Sequence, residues 1–388
     1  MRFGRSKKDK VLFMLGLLLA VGLTGAGCVG IKSAPEGGSG VAIAGDILYV
    51  APAFRTGGGG LSCAPQPSVG KLISVNTSGA QQWEVPLEPS ARAGGGFSCA
   101  PASVPVAIYG TPVVDGGLVY VGGYNGIVYA LNSDSGALRW VYPRQGSLQP
   151  IIGGLVVAGD KVFFGNSDGK VYALDAETGD KKWEFATEDK LWSTPFVEGD
   201  ILYIGSFDKR LYALNTADGS EKWAFETDGA ITSTPIIYND TVYLGSFDRY
   251  LYAVRAADGS LKWKFMGGNW FWASPVVSGN NIYAGCLDGK VYTLDVESGS
   301  KVAEINLESP ISSSPAVVDG SVIVATEAGK VYAIENNQRR ELRTLGAKVL
   351  APLYTSNGVV YVHAENDKLY ALNVQTGAEL WALSLSGK

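Results

Sequence analysis

The sequence predicts an all-β protein, an eight-bladed β-propeller of four-stranded antiparallel blades. Two observations predict it. A unit of about forty residues repeats along the chain, and residues 193–223 and 233–263 share nearly every apolar, glycine and tryptophan position; this period indicates a solenoid, propeller or array. Each unit also contains four short apolar runs between Gly, Asp and Asn turns, which is the pattern of strands joined by hairpins. No run has a sustained helical period.

A Tyr-x-Leu/Ile/Val element recurs once in each unit, so the number of its copies gives the number of blades. The segment Ile73-Ser74-Val75 is a degenerate first copy. A four-stranded unit of this length is the size of one propeller blade, so the copies predict eight blades. The other copies begin at Tyr129, Tyr172, Tyr212, Tyr252, Tyr292, Tyr332 and Tyr370.

A tryptophan follows this element in most copies. A large flat ring at a fixed place in each blade is suited to packing against the next blade. In the sixth blade Ala303 stands in its place, and the seventh blade has diverged around Arg343. We predict a structural docking role for Trp83, Trp140, Trp183, Trp223, Trp263 and Trp381.

The segment 173–183, with the sequence ALDAETGDKKW, resembles the tryptophan-docking motif A-x-D-x-x-T-G-x-x-x-W of quinoprotein dehydrogenases. Looser copies end at the other tryptophans, and the resemblance covers nearly all of the chain after residue 40. It implies the PQQ-like (quinoprotein-type) eight-bladed propeller. Within that family, a short lipoprotein with no extra domain is most similar to the outer-membrane β-barrel assembly lipoproteins B.

Residues 1–27 are predicted to be a signal peptide of the lipoprotein type. A basic start precedes an apolar run over 11–23, as in export signals. Residues 24–28 then resemble a lipobox, so that signal peptidase II would cut before Cys28 and a diacylglycerol would attach to its sulfur. The family usually has Leu where this chain has Gly25. Cleavage after Ala26 and an uncleaved anchor over 11–31 are the alternatives. Residues 28–40 are predicted to be a tether, and all three alternatives place the propeller, 41–388, outside the cytoplasm.

Two matched insertions in the first blade each carry one cysteine. Residues 58–65 and 94–101 are nearly identical and contain Cys63 and Cys99. In an exported protein this pattern predicts a Cys63–Cys99 disulfide. A thiol pair that binds a metal is the alternative, although His363 is the only histidine. Cys286 stands inside a blade where other copies have serine, which predicts a buried, inert thiol.

The turns distribute side chains over two faces of the predicted ring. The face with the first-to-second and third-to-fourth turns is rich in Asp and Glu, most of which turn propensity explains. The other face collects aromatic residues, and three adjacent aromatics at 270–272 cannot all point inward from an extended segment. We predict a partner-binding site on this face, and packing between blades is the alternative. Its residues are Arg249, Trp270, Phe271, Trp272 and Trp192.

The sequence has no zinc ligand set, phosphate loop or nucleophile elbow. The resemblance to quinoproteins suggests the hypothesis that the protein is a PQQ-dependent dehydrogenase. Those enzymes, however, are usually longer, and they have a vicinal disulfide and a Ca²⁺ site for which this sequence has no matching residues. Asp168, Asp208, Asp248 and Asp288 recur because they build turns. We therefore predict no catalytic residue, no metal and no cofactor, PQQ included. The net charge of −5 argues against general nucleic-acid binding.

The predicted function is that of a non-catalytic, membrane-anchored, extracytoplasmic scaffold for protein–protein interaction. The resemblance implies a role in outer-membrane β-barrel assembly, with a lipid anchor at the periplasmic face of the outer membrane and the β-barrel insertion channel as partner. We expect a monomeric propeller. The alternative is a cell-surface propeller that binds a saccharide or a protein partner.

Overall fold

The computed structural model describes residues 38–52, 70–87 and 106–386. The predicted signal peptide, Cys28, and the Cys63–Cys99 pair lie outside these ranges. The described residues belong to one compact unit and contain 32 strands and no helix. Across the same ranges, no helix is long and apolar enough to span a membrane.

The strands form eight four-stranded antiparallel sheets, each built from four consecutive strands. This confirms the predicted all-β propeller with eight blades. Blades 1 to 4 comprise β1 Ala42–Ala44, β2 Ile47–Val50, β3 Gly70–Asn76, β4 Gln81–Leu87; β5 Val113–Asp115, β6 Leu118–Gly122, β7 Val128–Asn132, β8 Leu138–Tyr142; β9 Val156–Ala158, β10 Lys161–Gly165, β11 Lys170–Asp175, β12 Lys181–Ala186; β13 Phe196–Glu198, β14 Ile201–Gly205, β15 Arg210–Asn215 and β16 Glu221–Glu226. Blades 5 to 8 comprise β17 Ile236–Tyr238, β18 Thr241–Gly245, β19 Tyr250–Arg255, β20 Leu261–Met266; β21 Val276–Ser278, β22 Asn281–Gly285, β23 Lys290–Asp295, β24 Lys301–Asn306; β25 Ala316–Val318, β26 Ser321–Ala325, β27 Lys330–Glu335, β28 Gln338–Thr344; β29 Tyr354–Ser356, β30 Val359–Ala364, β31 Lys368–Asn373 and β32 Glu379–Ser384.

The order of the strands within a blade follows from their residue patterns. The first strands of neighbouring blades contact one another, as β5 contacts β1 and β9, and therefore surround the centre of the ring. In blade 4, β14 and β15 are buried along nearly their whole length, which fits their continuous apolar runs. The fourth strand, β16, alternates exposed and half-buried residues, because one of its faces meets solvent at the outer rim.

The hydrophobic core lies between the blades as eight separate clusters. One of them joins Val171 and Trp183 of blade 3 to Leu202 and Tyr212 of blade 4. Because each cluster needs side chains from two blades, no blade has a complete core of its own. The stability of the ring therefore depends on the seams, the contacts between consecutive blades.

The docking tryptophans lie in these seams. Trp183 donates its indole Nε1–H to the carbonyl oxygen of Thr216 at 3.0 Å. Its ring covers Gly219, where an added Cβ would lie 2.6 Å from the ring. The acceptor in every such seam is the first residue after the third strand of the next blade. The other five pairs are Trp83 with Ser133, Trp140 with Ala176, Trp223 with Ala256, Trp263 with Val296 and Trp381 with Thr77.

Blade 7 departs from this pattern, though not at the residue that the sequence indicated. Strand pairing places Arg340 opposite Ala333, the position that a docking tryptophan occupies in other blades. The divergence is therefore centred on Arg340 rather than on Arg343. The Nη2 of Arg340 donates to the carbonyl oxygen of Val374, 3.1 Å away, so arginine makes the bond that indole makes elsewhere.

The ring closes without a shared strand, since the first and last sheets are each complete. A core cluster joins Leu48 of blade 1 to Tyr361 of blade 8. Next to it, the Nδ1 of the buried His363 lies 2.8 Å from the carbonyl oxygen of Ser39. A carbonyl oxygen can only accept, so this nitrogen carries the proton. Burial lowers the pKa of His363.

Candidate functional site

Five aromatic side chains form a continuous chain of ring contacts, here called the aromatic strip: Trp192, Phe207, Phe247, Trp270 and Trp272. Phe207 and Phe247 come from the second-to-third turns of blades 4 and 5. The tryptophans come from the links that precede blades 4 and 6. All five are partly exposed. The strip thus runs across three consecutive blades on one face of the ring, here called the linker face.

Backbone hydrogen bonds hold the turns and links of this face together. The amide of Phe207 donates to the carbonyl oxygen of Lys190 at 3.0 Å, and that of Phe247 to Ala230 at 2.9 Å. The amide of Leu287 donates to Trp270 at 3.0 Å in the same way. The rigid blades therefore fix the positions of the aromatic rings.

The rings of the strip are arranged in two ways. The ring of Trp192 meets that of Phe207 edge-on, with centroids 4.7 Å apart, and Phe207 meets Phe247 edge-on at 6.0 Å. The ring of Phe247 stacks on both Trp270 and Trp272, with centroids 4.6 and 5.3 Å apart. Both geometries are favourable for aromatic pairs. They leave parts of several large rings open to solvent on one surface.

Polar features occur at the Trp192 end of the strip. The Nζ of Lys190 lies 4.4 Å from the ring centroid of Phe207 and 5.0 Å from that of Trp192, both within cation–π range. The Nε1–H of Trp192 has no hydrogen-bond partner among the described residues. All six docking tryptophans, in contrast, have a bonded N–H. A buried donor without a partner is uncommon and calls for an explanation.

Two basic residues border the strip in an uncommon backbone conformation. Lys209 and Arg249 have φ values of 73° and 75°, in the left-handed region that costs a non-glycine residue about 1 kcal/mol. At the same turn position blade 2 has Gly126, where an added Cβ would lie 2.0 Å from the carbonyl oxygen of Leu148. Both side chains are exposed, and neither forms an ion pair within the described ranges. Strain of this kind is commonly found at functional sites.

The structure brings together some of the predicted partner-binding residues but not all of them. Trp192, Trp270 and Trp272 lie in the strip, and Arg249 lies two residues after Phe247. Phe271 is fully buried, so its assignment to a binding surface is wrong. Side chains alternate along an extended link, and the middle aromatic of the three therefore points into the core, where its ring meets Tyr292.

The sequence-based prediction omitted three residues of this region: Phe207, Phe247 and Lys190. A signal for two of them was present. Phe207 and Phe247 are forty residues apart, at the same place in two consecutive repeats. Their contact with the tryptophans of the links could not be seen without the seam geometry.

The recurrent aspartates of the linker face are structural. The carboxylate of Asp248 accepts hydrogen bonds from the amides of Asp228 and Tyr250 and from the hydroxyl of Tyr252, at 2.8–2.9 Å. Burial and this hydrogen bond raise the pKa of Tyr252. Asp208 has equivalent partners. Carboxylates bonded in this way hold turns and core tyrosines in place, and they are poorly placed to act as general bases.

Metal-ligating and nucleophilic groups are sparse in the described part of the chain. No group of three or more His, Cys, Asp and Glu side chains there is placed to hold a metal ion. Cys286 is fully buried, and its Sγ donates to the carbonyl oxygen of Asn269 at 3.2 Å. Burial raises the pKa of this thiol to about 12, so it is neutral at physiological pH.

Two family models match the sequence. One, described as the beta-propeller of the beta-alanine-activating enzyme, matches residues 160–388. The other, described as outer membrane protein assembly factor BamB, matches residues 20–190. No curated protein matches the chain.

Solved structures share the fold. BamB from Moraxella catarrhalis is 18% identical with a TM-score of 0.66, and the match covers 84% of this chain and 91% of that one. The computationally designed Ika8 protein is 14% identical with a TM-score of 0.68, over 86% and 95% of the two chains. Identities this low show the fold alone. The second family model and the shared fold with BamB support a PQQ-like, BamB-like propeller. The first family model covers more than half of the sequence, and the chain therefore belongs to the family that this model describes, the beta-propeller of the beta-alanine-activating enzyme.

Proposed function

We propose that the protein is a non-catalytic, extracytoplasmic scaffold that binds protein partners through the aromatic strip. The observation that carries this proposal is the strip itself, five partly exposed rings held on a rigid face and bordered by Lys209 and Arg249. Exposed tryptophan beside arginine has the composition of a protein-binding hot spot. A contiguous apolar surface on an otherwise polar exterior commonly marks an interaction site.

The proposed process is the assembly of outer-membrane β-barrel proteins. It is supported by the assembly-factor family model over residues 20–190 and by the shared fold with BamB of Moraxella catarrhalis. The partner in this proposal is the β-barrel insertion channel. A monomeric ring is sufficient for this role, because its two faces already present many loops in fixed positions.

The direct test is affinity capture with cross-linking from native membranes, followed by mass spectrometry. We expect the wild-type protein to capture an insertion channel and the double variant Phe247→Ala/Trp270→Ala to capture little of it. The matched control is Leu138→Ala/Leu380→Ala, which removes two exposed leucines from outer strands. Equal capture by wild type and the strip variant would exclude the strip. Capture of other partners only would exclude the assembly role.

A saccharide is the second candidate ligand of the same surface. The partly exposed rings of the strip favour it, because aromatic rings can pack on the apolar face of a sugar. A glycan array distinguishes the two ligands. If the wild-type protein binds one class of glycan and the strip variant does not, the saccharide is favoured as the ligand. If the wild-type protein binds no glycan on the array, the protein partner is favoured.

We also propose that the protein works without a quinone cofactor. The described residues do not offer a metal-binding group of acidic side chains, and Asp208, Asp248 and Asp288 are bonded to turn amides. Addition of PQQ and Ca²⁺ should neither quench the tryptophan fluorescence nor raise the melting temperature. A saturable change in either would contradict this proposal.

The proposed location is a membrane surface outside the cytoplasm, reached through a lipid on Cys28. Mass spectrometry of the protein purified from native membranes tests this directly. A chain that begins at Cys28 with a diacylglycerol supports the anchor. A chain that begins after Ala26, or that still contains residues 1–27, supports one of the two alternatives.

A further inference from the structure

The two seams of blade 7 combine a buried apolar cluster with arginine contacts, whereas the other six seams combine such a cluster with a docking indole. Six seams contain a docking tryptophan, and the two seams of blade 7 contain none. On the blade 6 side, Ala303 stands opposite Thr293, where a docking tryptophan would stand. The receiving loop has changed with it, because blade 7 has the tight turn Asn336-Asn337 in place of a loop that ends in glycine.

An arginine links blade 7 back to blade 6. Arg339 donates through Nη1 to the carbonyl oxygen of Asn306, and its Nη2 lies 2.9 Å from the carboxylate of Glu308. The guanidinium also lies 5.9 Å from the ring centroid of Tyr332 in its own blade. The side chain of Arg339 remains 40% exposed.

Two further arginines link blade 7 forward to blade 8. Besides the bond from Arg340 to Val374, the Nη2 of Arg343 lies 2.8 Å from the carboxylate of Glu379. The packing role of the missing indole falls to Leu342, whose backbone lies against Gly377 and whose side chain is buried.

A cleft of about 580 Å³ opens beside this seam. It is lined on the blade 7 side by Ser321, Glu335 and Arg340, and on the blade 8 side by Val374 and Gln375. Solvent can therefore reach the side chain of Arg340, whose guanidinium lines the cleft and bonds to Val374.

Exposed ion pairs and buried indoles respond differently to salt. Ion pairs at the surface contribute little stability and are screened by added salt. A docking tryptophan such as Trp183 is 8% exposed, and its contribution rests on apolar burial, which sodium chloride does not screen. The seams of blade 7 should therefore weaken more than the other six as ionic strength rises, because the others keep a buried indole even where an ion pair also crosses them, as Lys262 does to Glu297.

We propose that blade 7 is the place where the ring opens first, and that ionic strength controls this opening. Opening would uncover the apolar cluster that blades 7 and 8 share, which includes Leu342, Val360 and Leu372. Local opening of a single cooperative unit below the global unfolding free energy is a general property of proteins. This salt-dependent opening of blade 7 does not depend on what the aromatic strip binds.

Hydrogen exchange with mass spectrometry tests the proposal on the full-length protein. We compare β27 in blade 7 with β15 in blade 4, both third strands paired on two sides. Between low salt and about 1 M NaCl, where the screening length is about 3 Å, exchange in β27 should rise about fivefold. Exchange in β15 should not change. An equal response in the two strands, or none in β27, overturns the proposal.

Variants separate the arginines from a general salt effect. The triple variant Arg339→Gln/Arg340→Gln/Arg343→Gln should exchange fast in β27 at low salt and lose the salt response. The control is Lys170→Gln/Lys181→Gln, which removes the ion pairs to Glu184 within blade 3 and bridges no seam. Where the triple variant does not fold, the single change Arg343→Gln gives the same comparison. An unchanged salt response in that variant would contradict the role of Arg343.

Discussion

The indole Nε1 of Trp381 lies 2.8 Å from the carbonyl oxygen of Thr77, so the last blade binds the first through the bond that joins consecutive blades elsewhere. Gly79 of blade 1 receives the ring, as Gly219 receives that of Trp183. The seam that closes the ring is therefore one more copy of the repeated contact. No strand from the start of the chain is needed to complete the last blade.

Replacement of a docking tryptophan should destabilise the whole ring. For Trp183→Ala we expect a loss of about 3–5 kcal/mol in the free energy of unfolding, because a buried ring is removed and the Thr216 carbonyl loses its donor. Chemical denaturation measures this loss. Leu380→Ala, at a leucine that is 53% exposed on an outer strand, is the control and should cost far less. A loss below about 1 kcal/mol for Trp183→Ala would contradict the docking role.

Replacement by alanine should have opposite effects at two phenylalanines of the linker face, one on stability and the other on partner capture. Phe271→Ala removes a fully buried ring and should cost about 3–5 kcal/mol of stability. Phe247→Ala removes a partly exposed ring and should cost much less stability while it weakens partner capture. Denaturation and capture are measured on both variants. Full capture by Phe247→Ala, together with normal stability, would remove this residue from the site.

The stability of the protein should depend on pH through its one histidine. Burial lowers the pKa of His363 in the folded state, while the unfolded chain has a value of about 6.5. The unfolded state thus binds the proton more readily, and stability should be complete above that value and fall as the pH drops below it.

Urea denaturation between about pH 5 and pH 8 measures this dependence. His363→Asn removes the titrating group and keeps a donor for Ser39, so the fall below about pH 6.5 should flatten in this variant. Asp367, which also acts on His363, is present in both proteins. Parallel pH profiles for variant and wild type would show that His363 does not carry the effect.

Cys286 should be inert in the folded protein. Its thiol is buried, with a pKa raised to about 12, and the thiolate that reacts with maleimide is therefore rare. Peptide mapping by mass spectrometry should find Cys286 unlabelled in native protein and labelled after unfolding in urea. Fast labelling in the native state would contradict this prediction.

The Cys63–Cys99 disulfide remains a prediction from the sequence. Peptide mapping of exported protein without reductant should yield one cross-linked peptide that contains both residues, and reduction should separate it. Two unlinked peptides that take up a thiol reagent before reduction would contradict the pairing.

The fold could be predicted closely because its signals are local. Apolar runs, turn residues and the forty-residue period specify strands, hairpins and the number of blades within each repeat. The site could be predicted less well. Whether a ring in a link points inward depends on its register, which composition does not reveal. A comparison of repeats would have placed Phe271 correctly, since Leu191, Ile231 and Ile311 occupy the same position and are all fully buried.

The exception in blade 7 was harder to predict, for a different physical reason. The β-bulge of its last hairpin lies between Val331 and Tyr332, nearer the strand start than the bulge at Ala213 in blade 4. This shift decides which residue faces the next blade. Spacing along the sequence therefore pointed to Arg343, whereas pairing across the sheet identifies Arg340.

Six of the eight blades carry a tryptophan for the neighbour ahead, most blades carry a glycine loop for the neighbour behind, and no sheet includes a strand from another blade. Contacts of this head-to-tail kind are those by which separate subunits form cyclic oligomers. The chain is thus comparable to a ring of eight subunits joined covalently. A four-blade half would end in one unused indole and one unused acceptor loop, and two such halves could close the same ring as a dimer. The seam contact therefore offers a physical route by which a propeller of this kind arises from the duplication of shorter, self-associating ancestors.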